Sequence, residues 1–154
     1  MIVVSDTSAL TSLLQIGQVE LLASVYSEVF IPEAVRDELL KEHPAIPSLV
    51  HCRRVAHQDE VRRLLQELDA GEAEAIVLAK ELKADDLLMD ETLGRRVAMR
   101  EGLHVIGLMG VLLEAKGQGL IASVSKLTEE LELKARFRVS TPVKEIIFRA
   151  AGEL

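Results

Sequence analysis

The first ten residues constrain the fold of this chain more than any other stretch. Met1 to Val4 form a short apolar run, and a polar run from Ser5 to Ser8 follows it directly. An apolar run bounded by turn residues is typical of a buried strand, and Thr7 or Ser8 can cap a following helix. Asp6 therefore lies at a strand-to-helix junction, where ligands bind in open α/β sheets, although a turn or capping role alone would also explain it.

The same pattern returns later in the chain, where Leu87, Leu88 and Met89 lead into Asp90 and Glu91. Further short strands are predicted near 28–31, 51–55 and 104–106, and helical segments separate them. Strands that alternate with helices indicate a parallel sheet with helices on both faces. We therefore expect an α/β fold, a three-layer α/β/α sandwich with a central parallel sheet of four to five strands.

Composition and charge limit the number of domains, the compartment and the partners that we expect for the protein. The 154 residues fit one domain, and the single Cys52 excludes an intramolecular disulfide and favours a reducing compartment. No apolar run approaches the roughly 20 residues that cross a membrane, and the first residues lack the features of a signal peptide. We expect a cytoplasmic protein without a membrane partner. The net charge of -7 disfavours passive binding of nucleic acid, but permits a nuclease whose carboxylates are neutralised by metal.

In the segment from Pro32 to Lys41, helical periodicity predicts that one glutamate faces the interior. At 100° per residue, Glu38 falls between Ala34 and Val35, at the edge of the apolar side. A carboxylate at that position is costly unless it has a partner. Glu38 is therefore either a glutamate that extends from the edge into solvent or an inward-pointing ligand.

A second helix, which follows Asp69, separates two nearby glutamates. Glu72 falls in the middle of the apolar face, whereas Glu74 falls on the polar edge beside Glu81. An acidic residue in a first turn suits the helix dipole, which accounts for one of the two. The inward orientation of Glu72 is not accounted for in this way, so Glu72 is the stronger candidate for a functional residue.

These acids are predicted to converge, with Asp6 and Asp90 at strand ends and Glu38 and Glu72 on the buried sides of helices. Carboxylates about 4 Å apart repel by roughly 4 kcal/mol per pair at an effective dielectric near 20. A divalent cation offsets such repulsion, and all-oxygen ligands favour Mg²⁺ or Mn²⁺. Phosphodiester hydrolysis is the chemistry that such a site supports.

The order of these motifs also resembles the PIN domain. The resemblance is carried by Asp6-Thr7-Ser8-Ala9-Leu10, by Glu38 in a helix begun by proline, and by Gly71-Glu72-Ala73-Glu74-Ala75-Ile76 and Leu88-Met89-Asp90-Glu91. Gly94-Arg95 and the segment 105–112 bring the chain nearer to prokaryotic PIN-like proteins described only as predicted nucleic-acid-binding domains, similar to VapC toxins. The resemblance covers about residues 1–125 of a single PIN-like domain, 1–154, with C-terminal helices over 123–154.

The resemblance implies a ribonuclease that depends on Mg²⁺ or Mn²⁺ and hydrolyses RNA, with Asp6, Glu38, Glu72 and Asp90 as catalytic and metal-binding residues. It also implies a toxin of a toxin–antitoxin pair, whose partner would be an antitoxin protein. Two positions stay open, because Glu74 could replace Glu72 and Glu91 could replace Asp90. The alternative function is a catalytically inactive PIN-like module that binds nucleic acid or regulates.

Supporting roles fall to three further residues. Ser8 is expected to orient Asp6 or a water, and Arg95 or Arg96 either contacts the RNA backbone or lies on a solvated helix face. An apolar surplus after residue 106 predicts a homodimer or an antitoxin complex, because one sheet face cannot obviously cover all of it. The residues of this surplus are Leu108, Val111, Leu112, Leu113, Ile146, Ile147 and Phe148.

Overall fold

A computed structural model of the protein describes residues 1–154 as five strands and nine helices. The strands are β1 (Ile2–Ser5), β2 (Glu28–Pro32), β3 (Val50–Arg53), β4 (Asp86–Leu88) and β5 (Val105–Ile106). The helices are α1 (Thr7–Gln15), α2 (Glu20–Val25), α3 (Glu33–Glu42), α4 (Gln58–Leu64), α5 (Ala70–Leu82), α6 (Thr92–Arg100), α7 (Leu108–Gly117), α8 (Val124–Lys134) and α9 (Thr141–Ala150). All neighbouring strands are parallel, in the order β3-β2-β1-β4-β5.

Alternate residues of each central strand face opposite sides of the sheet, which creates two hydrophobic cores. In β1, Val3 enters the core formed with α1, α2, α7 and α8, whereas Val4 enters the core formed with α4, α5 and α6. Leu88 and Leu87 of β4 divide between the same two cores. This arrangement confirms the predicted three-layer α/β/α sandwich and the parallel sheet.

Strand β1 lies at the centre of the sheet and determines where the predicted site residues meet. Val4 is in register with Phe30 of β2 and Ser5 with Leu88 of β4. The backbone N–H of Asp6 donates to the carbonyl of Leu88 over 3.1 Å, so pairing continues beyond β1. The residues that follow β1 and β4 therefore leave the sheet side by side at its carboxyl edge.

Helices α8 and α9 cover part of the core that contains Val3, which we call the first core. The apolar surplus after residue 106 is mostly internal. Leu108, Val111 and Leu112 of α7 are buried, so they do not form the exposed patch that the sequence suggested. On α9, Val143 and Ile146 are exposed, and Ile146 retains 68% of its accessible surface. None of the helices is both long and apolar enough to span a bilayer.

Candidate active site

An acidic cleft of about 210 Å³ opens at the carboxyl edge of the sheet. It has no hydrophobic residue in its lining, and it brings together three of the four predicted acids, which are Asp6, Glu38 and Glu72. The lining residues are Asp6, Thr7, Ser8, Glu38, Asp69, Gly71, Glu72 and Glu91. We call this the acidic pocket.

Asp6 is the most buried member of the acidic pocket and is also the N-cap of α1. Its side chain is 3% exposed, and its Oδ1 accepts a hydrogen bond from the backbone N–H of Ala9 over 3.0 Å. The expectation that Thr7 or Ser8 caps this helix was wrong, because α1 already begins at Thr7 and the carboxylate of Asp6 accepts from a free N–H group of its first turn. Ser8 instead donates its hydroxyl to Asp6 Oδ2 over 3.3 Å.

Burial governs the charge of Asp6 in the metal-free protein. Burial and the neighbouring charges of Asp90 and Glu72 raise the pKa of Asp6 from 3.8 to about 7, against the opposing effect of the Ala9 and Ser8 hydrogen bonds. Near neutral pH, the carboxyl group of Asp6 is therefore present in both its protonated and its ionised form. A positive charge beside it would lower the pKa and keep it ionised.

Glu38 and Glu72 enter the acidic pocket from α3 and α5. Burial and the charge of Asp69 raise the pKa of both carboxyl groups. Glu72 is also the N3 residue of a capping box, since its N–H donates to Asp69 Oδ1 over 2.9 Å and its Oε1 accepts from the Asp69 N–H over 3.4 Å. One oxygen of Glu72 thus anchors the start of α5, while the other remains available.

Three glycines provide the space that these acids occupy. A β-carbon at Gly71 would collide with Glu38 Oε1, and one at Gly94 would lie 2.8 Å from Glu72 Oε2. A β-carbon at Gly107 would lie 2.6 Å from Asp90 Oδ1. Each carboxylate is therefore packed directly against a glycine, and its position depends on the absence of a side chain there.

Asp90 lies behind the acidic pocket, outside its lining. Its Oδ2 accepts from the N–H of Leu108 over 3.1 Å, so Asp90 holds the start of α7, and its burial raises its pKa against that bond and the charge of Arg95. Its charge still raises the pKa of Asp6. Glu91, the alternative from the sequence, is the residue of this pair that lines the acidic pocket.

Glu74 has a different task. Its Oε1 accepts a hydrogen bond from the backbone N–H of Ala34 over 3.1 Å, at the start of α3, and it does not line the acidic pocket. Glu74 therefore ties α5 to α3. This geometry favours Glu72 over Glu74 as the pocket residue of this helix.

The predicted arginines do not enter the acidic pocket. Arg95 is half-buried and donates to the carbonyl of Met89 over 2.8 Å, while Arg96 is exposed on α6. The four predicted acids, Asp6, Glu38, Glu72 and Asp90, take part in none of the ion pairs within 4.0 Å in the structure. No lysine or arginine is therefore directly paired with the acids of the acidic pocket.

Comparison with known proteins decides the family. A protein-family model described as a PIN domain, DUF3368, matches residues 2–153. The chain belongs to the PIN domain family. No curated protein and no solved structure matches the chain significantly. The match extends through α8 and α9, beyond the 1–125 that the sequence motifs covered, and PIN domains are generally nucleases that use divalent metal ions.

The residues of this PIN domain are suited to a divalent cation. The lining offers carboxylate and hydroxyl oxygens only, and Thr7 Oγ1 is buried without a hydrogen-bond partner. No three His, Cys, Asp or Glu side chains stand in a metal-binding arrangement. Mg²⁺ does not require one, because it keeps several waters and commonly takes one or two carboxylates plus substrate phosphate.

Sequence reasoning missed several residues around the acidic pocket of this PIN domain. Asp69 was identified only as the residue before a helix, and Thr7 only as a possible cap, although both line the pocket. Arg136 and Arg138 border a neighbouring cleft with Ser8 and Glu91. No periodic signal places those two arginines near the site, because they lie in an irregular segment between α8 and α9.

Proposed function

We propose that this PIN domain is a Mg²⁺- or Mn²⁺-dependent endoribonuclease that hydrolyses RNA phosphodiester bonds at the acidic pocket. The observation that carries the proposal is the convergence of Asp6, Glu38 and Glu72 on one polar cleft without any lysine or arginine paired to them. An inactive binding module would have no need to retain such unneutralised charge, and an internal salt bridge would be expected in its place.

The proposal assigns each acid a task. Asp6, Glu38 and Glu72 would hold the cation, and Asp90 would add negative charge beside them. When bound, such an ion offsets the charge of the phosphate and makes water a better nucleophile. Asp6 must release its proton to become a ligand, and Ser8 then keeps the second oxygen of Asp6 in place through its hydroxyl.

Cleavage of a labelled single-stranded RNA in Mn²⁺, with and without chelator, tests this assignment. We expect Asp6→Asn to lower the cleavage rate by at least ~100-fold, since it removes a charge and a ligand oxygen at nearly constant volume. Glu72→Gln should be almost as damaging. Chelator should abolish the activity of the wild-type protein.

Glu74→Gln is the matched control in the same helix. It removes the same charge from a glutamate that contacts α3 and not the acidic pocket, so its effect on cleavage should be mild. Activity that survives in Asp6→Asn would overturn the mechanism. Severe loss in Glu74→Gln with a mild effect in Glu72→Gln would show that the wrong glutamate had been assigned.

We extend the proposal to a cytoplasmic toxin role, which rests on the resemblance to VapC toxins and on the RNA substrate. An antitoxin protein would then restrain the ribonuclease in the cell. Induced expression in a bacterial host should arrest growth with the wild-type chain but not with Asp6→Asn. Equal growth at equal protein levels would contradict the toxin role and leave the ribonuclease proposal to the cleavage assay.

A further inference from the structure

We propose that residues 135–140, the segment between α8 and α9, form an RNA-binding arm in which Arg136 and Arg138 hold backbone phosphates beside the scissile bond. This inference rests on the proposed ribonuclease function. It adds a positioning site for the substrate that lies outside the carboxylates.

The arm runs along the edge of the site. Arg136 and Arg138 line a cleft of about 410 Å³ that also contains Ser8, Asp90 and Glu91. Ser8 and Glu91 belong to the acidic pocket as well, so the cleft and the pocket are continuous. A single strand of RNA that leaves the acidic pocket through this cleft would pass both guanidinium groups.

The side chains of the arm alternate between the core and the solvent. Ala135, Phe137 and Val139 pack against the first hydrophobic core, while Arg136 and Arg138 are exposed. Apolar anchoring on one side thus fixes the two arginines on the other.

Both ends of the arm are also fixed by hydrogen bonds. At the first end the N–H of Ala135 donates to the carbonyl of Leu131 over 3.0 Å, and at the other end Ser140 caps α9. Arg136 has a φ of 54°, a conformation that costs a residue with a side chain on the order of 1 kcal/mol. A pre-ordered arm loses little conformational entropy when it binds, which favours tight contact.

The two arginines have no partner within the protein. Arg36, Arg54, Arg63 and Arg100 form ion pairs with carboxylates, but Arg136 and Arg138 take part in no ion pair or side-chain hydrogen bond. They remain unpaired in a chain of net charge -7 and beside a cleft with two acids. Guanidinium groups free of carboxylates are suited to phosphate, which they bind through paired N–H donors.

Steady-state cleavage of single-stranded RNA in Mn²⁺ tests the arm through the double variant Arg136→Gln/Arg138→Gln. We expect KM to rise by at least ~10-fold, as for the loss of charged hydrogen bonds, with kcat changed less than about twofold. The slope of log(kcat/KM) against log[salt] should become shallower by roughly 1.4, since each phosphate neutralised on single-stranded nucleic acid adds about 0.7 to that slope. Arg136→Lys/Arg138→Lys should restore much of the affinity, since it keeps both charges.

The matched control is Arg62→Gln/Arg149→Gln, which removes two exposed arginines that also lack a carboxylate partner but line neither cleft. Both double variants take the net charge from -7 to -9, so a purely global electrostatic effect would be equal in the two. Equal KM and salt slope in the two variants, or a loss of kcat at constant KM, would overturn the arm while the ribonuclease proposal stands. A wild-type chain that neither cleaves nor binds RNA would overturn both proposals.

Discussion

At the scale of single residues, Asp6 has two roles with opposite demands on its charge. As the N-cap of α1 it accepts a hydrogen bond from Ala9, which favours the ionised carboxylate. Burial and the acids around it favour the neutral form, and they dominate in the metal-free protein.

The pKa of Asp6 predicts how the stability of the metal-free protein depends on pH. Because the pKa rises from 3.8 to about 7 on folding, the folded state holds a proton that the unfolded state releases between these values. The free energy of unfolding should therefore fall as pH rises from about 4 to 7, by roughly 1.4 kcal/mol per pH unit from this group. Urea unfolding in chelator at several pH values measures it.

Asp6→Asn is the control for this titration. Asp6→Asn should lack the fall in the free energy of unfolding that the titration of Asp6 causes. It should also be more stable than wild type in chelator above pH 7. Saturating Mg²⁺, at 100 times its dissociation constant, should add about 2.7 kcal/mol to wild type and much less to the variant. Identical pH profiles for the two proteins would mean that Asp6 does not titrate in this range.

Substitution of Gly94 should lower the activity without removing a charge. In Gly94→Ala the added methyl group would lie 2.6 Å from Met89 Sδ and 2.8 Å from Glu72 Oε2, so Glu72 must shift. Alanine also has a higher helix propensity than glycine, which offsets part of the crowding. We expect at least ~10-fold slower RNA cleavage with a small change in melting temperature.

Gly117→Ala serves as the comparison, because no atom lies within 4 Å of a β-carbon at that position in α7. It should leave cleavage unchanged. Equal activity of Gly94→Ala and Gly117→Ala would show that Glu72 tolerates displacement.

At the scale of elements, local patterns predicted most of the helices and strands. Periodicity defined α5, and Pro32 marked the boundary between β2 and α3, because these signals act within a few residues. The choice between Asp90 and Glu91 could not be made in this way, since it depends on how α6 and α7 pack against the strand end. Arg136 and Arg138 were missed for a related reason, as only tertiary packing brings the arm to the pocket.

Glu153, which follows α9, holds the start of α8 through several contacts. Its substitution should therefore have a large effect on the free energy of unfolding. It accepts from the N–H groups of Val124 and Ser125 over 2.7 and 3.0 Å, and pairs with Lys116 over 2.9 Å. Burial opposes its ionisation, but these partners outweigh burial and hold its pKa well below the usual range. Glu153→Gln should lower the free energy of unfolding at pH 7 by about 2 kcal/mol, measured by urea titration.

The difference in the free energy of unfolding between wild type and Glu153→Gln should depend on pH as expected for a carboxyl group whose pKa is lowered in the folded state. The stabilisation is complete above the unfolded value of 4.5 and declines as pH falls below it, so the two proteins should converge in acid. Glu145→Gln, at an exposed position on α9 without a partner, should have little effect. A difference that stays constant from pH 7 to pH 3 would contradict the ionic origin.

At the scale of the whole molecule, the predicted homodimer depends on α9 alone. The residues of α7 that the sequence assigned to an exposed surface are buried, whereas Val143 and Ile146 form an apolar patch that solvent reaches. The other large apolar side chains that are exposed are Met1, Leu40, Leu65, Leu93, Met99, Leu120, Leu133 and Leu154. Of the residues to which the sequence assigned the association, only Ile146 is exposed, so we predict that a second copy would associate through α9.

Sedimentation at micromolar concentration tests the homodimer. Ile146→Asp should shift the wild-type dimer to a monomer, because it places a charge in the proposed contact. Met99→Asp, a similar change on α6, should leave the dimer intact. A wild-type chain that sediments as a monomer would contradict the prediction.

The strand order also determines when the site can exist during synthesis. Strand β1 is made before the other four strands, yet it lies in the middle of the sheet, and its neighbour β4 emerges only with Asp86–Leu88. Until then a growing chain carries Asp6 with one side of β1 unpaired and without Asp90. If the chain is the ribonuclease proposed above, its activity can therefore arise only after β4 has emerged and paired with β1.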